Sequence, residues 1–417
     1  MSSVIQPLVK NSEEVVCCQQ EEKQAIGSRK DVVVLNSVDS IIFFNLMEIS
    51  FPMPIYMDLH VVPGVKARGV AEAHQMDVLI EEEYGCKCMT YWVDEGRGQV
   101  FCLIEAPNKE AVVEMHGKAH GLMPHKIIEV QTSVVESFLG RVNDPEGSEP
   151  ADDGLKLISD PSFRIVTVIR MIDPVLLAHQ LGSEKAAVMI NQANQVVRQE
   201  LLNHGGTEVE HKGAGFIASF TSACKALACA RAIDRQLSDK DNNLGLRISI
   251  NAGQPVANND ALFGDTIKLA DRMCFIAQNS QPYISSSVKE LVGIEQWPDS
   301  TTTTGALSSA DENFLDLLFT VLENHWHDAG FTMDEYYRLM AMSQSRVYRK
   351  TIALTGLSPN ELLKQYRLDK AREIVKKGQY TISEICFDTG FTSPSYFTKC
   401  FKKQYGIQPM AYHDLVY

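Results

Sequence analysis

Residues 381–409 read TISEICFDTGFTSPSYFTKCFKKQYGIQP, and their punctuation decides how the C-terminal quarter of the chain folds. Thr381 and Glu384 form a Thr-x-x-Glu capping box, in which each side chain satisfies an N–H group at a helix start. Two turns later Gly390 interrupts the helix, and Ser393-Pro394 opens another, because proline suits the first helical position. The same marks stand 49 to 50 residues upstream: Thr332 and Glu335, then Ser343-Gln-Ser-Arg346-Val-Tyr348, then Gly356-Leu-Ser-Pro359 to match Gly406-Ile-Gln-Pro409. Helix, tight turn, helix therefore occurs twice. Between the copies, Pro359 to Lys377 reads as one amphipathic helix: Leu362, Leu363, Tyr366, Ala371 and Ile374 make the apolar stripe, with Lys364, Arg367, Lys370 and Arg372 interleaved. If the two copies enter successive major-groove segments of a duplex, their spacing must be about 34 Å, one helical turn.

This stretch, together with YRKTIALTGLSPNELLKQYRLDKA upstream, resembles the AraC/XylS family over about a quarter of the chain. The resemblance implies a seven-helix DNA-binding domain with recognition helices at about 344–355 and 394–404. It places Gln344, Ser345, Arg346, Arg349 and Lys350, then Ser395, Thr398, Lys399 and Lys402, at positions facing bases and phosphates. Gln and Arg suit bidentate contacts to A and G edges, whereas Lys mostly meets phosphate. Tyr348, Tyr396, Phe397 and Phe401 read as core.

Charge is distributed accordingly. The whole chain carries −14, which alone argues against nucleic acid. From Arg338 to Met410, however, 13 Lys and Arg face 5 Asp and Glu, while the rest has 26 basic and 48 acidic residues. A basic segment on an acidic chain is the electrostatic footprint of a DNA reader joined to units that avoid DNA.

At 417 residues the chain is long enough for about three domains. No apolar run approaches the ~20 residues that span a bilayer, and the opening MSSVIQPLVKNSEEVVCC lacks the pattern of a signal peptide. Ten scattered cysteines suit a reducing compartment, so the expected location is cytoplasmic, with no membrane partner. Acid-, Gly- and Pro-rich Asn143–Ser162 and Ser/Thr-rich Trp297–Glu312 read as linkers. The expected division is a poorly structured extension at 1–52, a domain at 53–142, a linker at 143–162, a domain at 163–295, a linker at 296–311 and the helical domain at 312–417.

The middle unit runs strand, long helix, two strands, helix, strand, helix, strand: FRIVTVIRMI, SEKAAVMINQANQVVRQELLNHGG, TEVEHKGAGFIASF, TSACKALACARAIDRQL, LRISINAGQPV, FGDTIKLADRMCFIAQ and QPYISSSV. This order resembles the class III nucleotide cyclase domain, a ferredoxin-like α+β fold that is dimeric. That chemistry needs two carboxylates to hold metal ions. The resemblance puts Ile172 at the first position, with Asp173 one place off, and Ala214 at the second. Lys268 replaces a transition-state asparagine, while Arg272 is retained. The expectation is a non-enzymatic scaffold or sensor.

The N-terminal unit reads βαββαβ from PIYMDLHVV to HKIIEV, with a hairpin turn at Asp94–Gly98. It holds His60, His74, His116, His120 and His125. His116 and His120 lie four apart on one helix face and could share a metal, with Cys86, Cys88 and Cys102 as softer candidates. Alternation sets Asp58 and His60 on one sheet face and Ile55, Met57, Leu59 and Val61 on the other. If the apolar face packs under the helices, Asp58 and His60 face away from them, towards a partner subunit. The phrase YWVDEGRGQVFCLIEAPNKEAVVEMHGKAHG is similar to small ferredoxin-like nickel-binding proteins, which implies metal binding and dimerisation. Candidate ligands are His60, His74, His116 and His120, for nickel or another divalent transition metal.

The sequence thus predicts a multidomain chain: two α+β ferredoxin-like domains of βαββαβ type, then an all-α double helix-turn-helix domain. Its expected function is sequence-specific binding of double-stranded DNA as a transcription regulator, an activator by family analogy. A homodimer with a metal or small-molecule effector is expected. The alternatives are a nucleotide cyclase, or a nickel store, carrying a DNA-binding tail.

Overall fold

Alternating apolar residues build the first sheet from β1 (Ile55–Val61), β2 (Lys87–Asp94), β3 (Gln99–Glu105) and β4 (Lys126–Val130). The strand order is β2-β3-β1-β4, and every neighbouring pair is antiparallel. Helices α1 (Ala67–Ile80) and α2 (Lys109–Ala119) connect the strands on one side, and the Asn108 side chain caps α2 by accepting from Ala111 N. The β2–β3 hairpin requires Gly98: its φ is +66°, and a Cβ there would lie 3.1 Å from the Val62 carbonyl. This computed structural model describes residues 53–145, 155, 157–212, 215–237, 244–277, 281–293 and 304–416, which form one compact unit. The extension read at 1–52 and the residue Ala214 lie outside the described residues.

A helix absent from the sequence reading, α3 (Thr132–Leu139), follows β4. Its last carbonyls meet the second sheet: Phe138 O accepts from Arg164 Nε and Ser219 Oγ, and Leu139 O from Arg164. That sheet comprises β5 (Arg164–Arg170), β6 (Thr207–Lys212), β7 (Gly215–Phe220), β8 (Arg247–Gly253), β9 (Tyr283–Ile284) and β10 (Gly305–Ala306), in the order β10-β9-β8-β5-β7-β6. Helices α4 (Pro174–Leu181), α5 (Ser183–Asn203), α6 (Ala223–Leu237), α7 (Gly264–Ile276) and α8 (Ser286–Val292) surround it. Two expectations change here. QPYISSSV makes only a two-residue strand, because the Ser285 hydroxyl accepts from Val288 N and starts α8. The stretch read as a linker at 297–312 holds β10, paired in parallel with β9, and buried Leu307. The other expected linker is also tied down where described: Leu155 and Ile158 are buried, and Val93 N donates to Asp160 O.

Seven helices complete the chain: α9 (Ser309–His325), α10 (Met333–Leu339), α11 (Gln344–Thr355), α12 (Pro359–Val375), α13 (Ile382–Asp388), α14 (Pro394–Tyr405) and α15 (Pro409–Val416). The capping boxes at Thr332/Glu335 and Thr381/Glu384 both form, and a third at Ser358/Glu361 starts the connecting helix α12. In the turn before α14, Gly390 has φ +77°, and a Cβ there would stand 2.6 Å from the Trp326 carbonyl. Phe397 and Phe401 are fully buried as expected, but Tyr348 and Tyr396 are exposed. The stripe of α14 runs through Phe397, Phe401 and Tyr405 at i, i+4 and i+8, so Tyr396 turns about 100° away from it. Val347 and Thr351 displace Tyr348 in the same way on α11.

Both faces of the first sheet are covered. Met57, Leu59, Trp92, Phe101, Leu103 and Ile128 pack with α3 and with Val166, Val168 and Ile217 of the second sheet. The opposite face, with Tyr56, Tyr91, Val93, Val100 and Ile104, packs under α1 and α2. The expectation that Asp58 and His60 face away from the helices is therefore overturned. The apolar alternate residues of β1 are taken by the second sheet, which leaves the Asp58/His60 face to the helices.

Candidate functional site

A cluster of imidazoles and carboxylates lies between the first sheet and its two helices. β1 contributes Asp58 and His60, both buried; β3 contributes Cys102, the cross-strand partner of Asp58; α1 contributes Asp77; and α2 contributes His116 and His120. His116 is central: its Nε2 lies 2.8 Å from Asp58 Oδ2, and its Nδ1 lies 3.1 Å from Asp77 Oδ1 and 3.1 Å from His120 Nε2. His120 Nε2 stands 3.3 Å from Asp77 Oδ2. His60 Nε2 is buried without a hydrogen bond, 3.5 Å from Asp58 Oδ1.

Electrostatics follow from this crowding. Burial disfavours the charged form of His116, but hydrogen bonds to Asp58 and Asp77 outweigh it and raise its pKa to about 10. Burial likewise opposes ionisation of Asp58, yet the imidazoles of His116 and His60 hold its carboxyl well below the usual range. Asp77 is lowered against its burial by His116 and His120. Burial pushes the Cys102 thiol well up, reinforced by Asp58 and Asp77.

Two donor groups emerge, Asp58–His60–Cys102–His116 and Asp77–His116–His120, each with its ligand atoms within 4.8 Å of one another. Imidazole and carboxylate donors suit a divalent transition metal, and the buried Nε2 of His60, beside the Asp58 carboxylate but without a hydrogen bond, has the character of a ligand atom. His116 can present one ring nitrogen to an ion while a carboxylate holds the other, which fixes ring orientation and raises basicity.

Among the expected ligands, His60, His116 and His120 come together, whereas His74 lies tilted against Tyr91 with ring centroids 5.0 Å apart and joins neither group. Cys88 lies against the Met115 sulfur and Cys86 donates to Tyr84 O, so neither joins the cluster. His125 accepts from Val61 N. The sequence reading did not include Asp58 and Asp77 among the ligands. Their signal was a carboxylate inside the apolar strand IYMDLHV and another three residues after His74.

In the middle unit, Asp173, Lys268 and Arg272 each meet charged or polar groups of the helical unit. Asp173 caps α4 by accepting from Val175 N at 2.9 Å, and its other oxygen accepts from Tyr412 Oη at 2.9 Å and meets Lys376 Nζ at 2.7 Å. Buried Arg272 pairs with Asp316 and, at 2.8 Å, with Glu323, both on α9; Lys268 meets Glu323 at 2.9 Å. Both Asp173 oxygens are thus engaged, one by the start of α4 and the other by a hydroxyl and cations of the helical unit.

The two candidate reading helices are α11 and α14, matching the expected 344–355 and 394–404. Gln344, Ser345, Arg346, Arg349, Ser395, Lys399 and Lys402 are exposed, and Thr398 is half-buried. Among the described residues Arg346, Lys399 and Lys402 enter no ion pair. Lys350 differs: it is half-buried, pairs with Asp311 at 2.9 Å and donates to Ala310 O.

Comparison with known proteins divides along the same lines. Residues 336–414 match the family described as "Helix-turn-helix domain", and residues 56–130 match "Nickel responsive protein SCO4226-like". The chain is 31% identical over 108 residues to "Histidine kinase P4" of Formosa agariphila, covering 26% of this chain and 8% of that protein. It is 30% identical over 90 residues to "HTH-type transcriptional regulator MtrA" of Neisseria gonorrhoeae, covering 22% and 28%. The chain therefore spans well under half the length of these curated relatives. The solved structure of SCO4226 from Streptomyces coelicolor A3(2) is 32% identical over 18% of this chain and 94% of that one, with a TM-score of 0.18. The C-terminal part is an AraC-type helix-turn-helix domain, and a nickel-responsive-type domain precedes it. Among the described residues no helix is long and apolar enough to cross a membrane.

Proposed function

We propose that the chain is a sequence-specific transcription regulator that binds double-stranded DNA through α11 and α14 and responds to a metal at the His116 cluster. The observation that carries this reading is the doubled helix-turn-helix itself. Two capped helix pairs sit on one stiff connecting helix, with exposed Arg346, Lys399 and Lys402 on the second helix of each pair. Gln344, Ser345, Arg346, Arg349, Ser395, Thr398, Lys399 and Lys402 contact the duplex; Lys350 joins them only on leaving Asp311. The strand orders β2-β3-β1-β4 and, within the larger sheet, β8-β5-β7-β6 support two ferredoxin-like units, at 53–142 and 163–295, ahead of the helical unit at 312–417.

His60, His116 and His120, with Asp58, Asp77 and Cys102, would hold nickel or a similar divalent ion. Such an ion would supply positive charge for the Asp58 and Asp77 carboxylates to balance. The residues themselves act as acceptors and proton carriers, because the proton on His116 must leave for its ring to ligate. A metal that binds one arrangement of a homodimer better than another would shift how the readers are presented, and only such differential affinity transmits a signal. Cyclase turnover is absent on this reading, since Asp173, Lys268 and Arg272 are committed to the helical unit.

The test is capture of genomic fragments by the purified full chain with and without Ni²⁺. A motif of two blocks about one helical turn, roughly 34 Å, apart is the expected product. A nickel-dependent change would place sensing in the N-terminal unit, whereas loss of all sequence preference in both conditions refutes the regulator.

A further inference from the structure

Beside the cluster lies a cavity of about 260 Å³, floored by the sheet and walled by α1. Val62, Val65, Val70, Ala73, Val100 and Leu122 give it apolar sides. Its polar end is formed by the candidate metal centre: His60, Cys102, Asp77 and His120 all line it. We propose that this cavity is an effector site for a small, mainly apolar molecule with a single donor atom, which reaches the metal-binding end while the apolar body fills the space along α1. The inference rests on the metal reading above and adds the class of small molecule that the same site takes.

Three observations define that class. An apolar cavity of about 150 Å³ holds benzene, so at the same ratio 260 Å³ holds about ten non-hydrogen atoms. The lysine of the lining, Lys66, already pairs with Glu95 at 2.9 Å, so it is not a ready anchor for a dianion such as a phosphate ester. Most polar lining groups, His60, Cys102, Asp77 and His120, belong to the cluster, while the remaining imidazole, His74, packs against Tyr91, which suits one head group and not a polar molecule throughout. An apolar wall next to a few convergent polar groups is the usual composition of a small-ligand site.

Gly69 supplies the means to test it. It lines the cavity in the first turn of α1, its φ is not in the left-handed region, and a Cβ there meets nothing within 4 Å. No close backbone approach requires glycine, and a larger residue is compatible with the helix. Gly69→Leu, and Ala73→Leu one turn on, therefore narrow the cavity without touching any donor.

Nickel uptake by the full chain is measured first, by calorimetry with Ni²⁺ alone. Imidazole and 4-phenylimidazole are then titrated into the nickel-loaded chain, with binding followed by calorimetry and by the Ni²⁺ ligand-field bands. The expected result is at least 30-fold tighter binding of 4-phenylimidazole than of imidazole. In Gly69→Leu and Ala73→Leu that preference falls below threefold, while nickel affinity and imidazole binding are unchanged. Equal affinity of the two probes in the parent chain overturns the proposal, as does a preference that survives both substitutions or persists undiminished without nickel. Failure of nickel uptake is a separate result: it removes the metal reading itself, and this inference with it.

Discussion

Replacing Asp173 by alanine tests whether the middle unit and the helical unit are bound through that carboxylate. Asp173 is buried, and its substitution removes several contacts together. The bond to Val175 N caps α4, and losing such a cap costs about 1 kcal/mol. Tyr412 is fully buried, so removing the acceptor of its hydroxyl adds about 1–3 kcal/mol. Lys376 is 39% exposed, and its 2.7 Å pair must be discounted for solvent screening to about 0.5 kcal/mol. The sum for Asp173→Ala is about 3 kcal/mol. Asp173→Asn keeps one acceptor oxygen and should cost about 2 kcal/mol. Urea unfolding of the full chain followed by circular dichroism measures this, with hydrogen exchange showing whether α12 and α15 lose protection. A carboxylate reserved for metal ions would behave oppositely, since its removal relieves charge and leaves stability unchanged or raised. An Asp173→Ala midpoint equal to or above the parent's refutes the docking argument.

Four further outcomes follow from the geometry. The Asp173 carboxyl is held below its ordinary pKa of 3.8, because Lys376, Arg372 and Tyr412 together outweigh its burial. Its contribution is therefore complete above that pKa and is lost as pH falls through the depressed folded value. The stability gap between parent and Asp173→Asn should be constant from about pH 8 to 5 and shrink below about 4, as acid titration would show. Arg346→Ala should cost about 1–3 kcal/mol on the captured operator and relax its sequence preference, whereas Lys399→Ala should reduce the slope of log affinity against log salt by about one. Gly390→Ala puts a Cβ 2.6 Å from the Trp326 carbonyl in a left-handed conformation, and should destabilise the helical unit by at least about 2 kcal/mol in thermal unfolding. His116→Ala removes the residue shared by both donor groups, so nickel uptake should fall at least tenfold by equilibrium dialysis, a change His74→Ala should not cause.

The helical unit was readable because its signals are local. A capping box, a glycine in the left-handed region and an i, i+4 stripe each lie within a dozen residues, and α10 to α15 follow them. Tyr348 and Tyr396 were misjudged by residue type where helical phase decides, since the neighbouring Val347 and Phe397 hold the buried stripe. The His116 cluster was half legible. His116 and His120 share a helix face at a spacing visible in the sequence, but Asp58 and Asp77 meet His116 across 58 and 39 residues. Which face of β1 meets the helices depended on the second sheet covering Met57 and Leu59, and that contact has no local trace. Helices α3 and α4 were missed because each is only eight residues long and is held by contacts with the neighbouring unit.

The engagement of α7 with α9 gives the middle unit a physical reason to retain Arg272. Arg272 is buried on α7, one turn after Lys268. A guanidinium left buried without a negative charge beside it would be strongly destabilising. Glu323 and Asp316 of α9 supply that charge, and Glu323 is held in its charged form, against its burial, by Arg272 and Lys268. The same exchange recurs at Asp173, where the cations come from α12 and the hydroxyl from α15. At both places a buried charge of the middle unit is neutralised by a helix of the helical unit. Loss of either partner would leave an uncompensated buried charge, so these ion pairs tie the docking of the two units to the integrity of α9, α12 and α15.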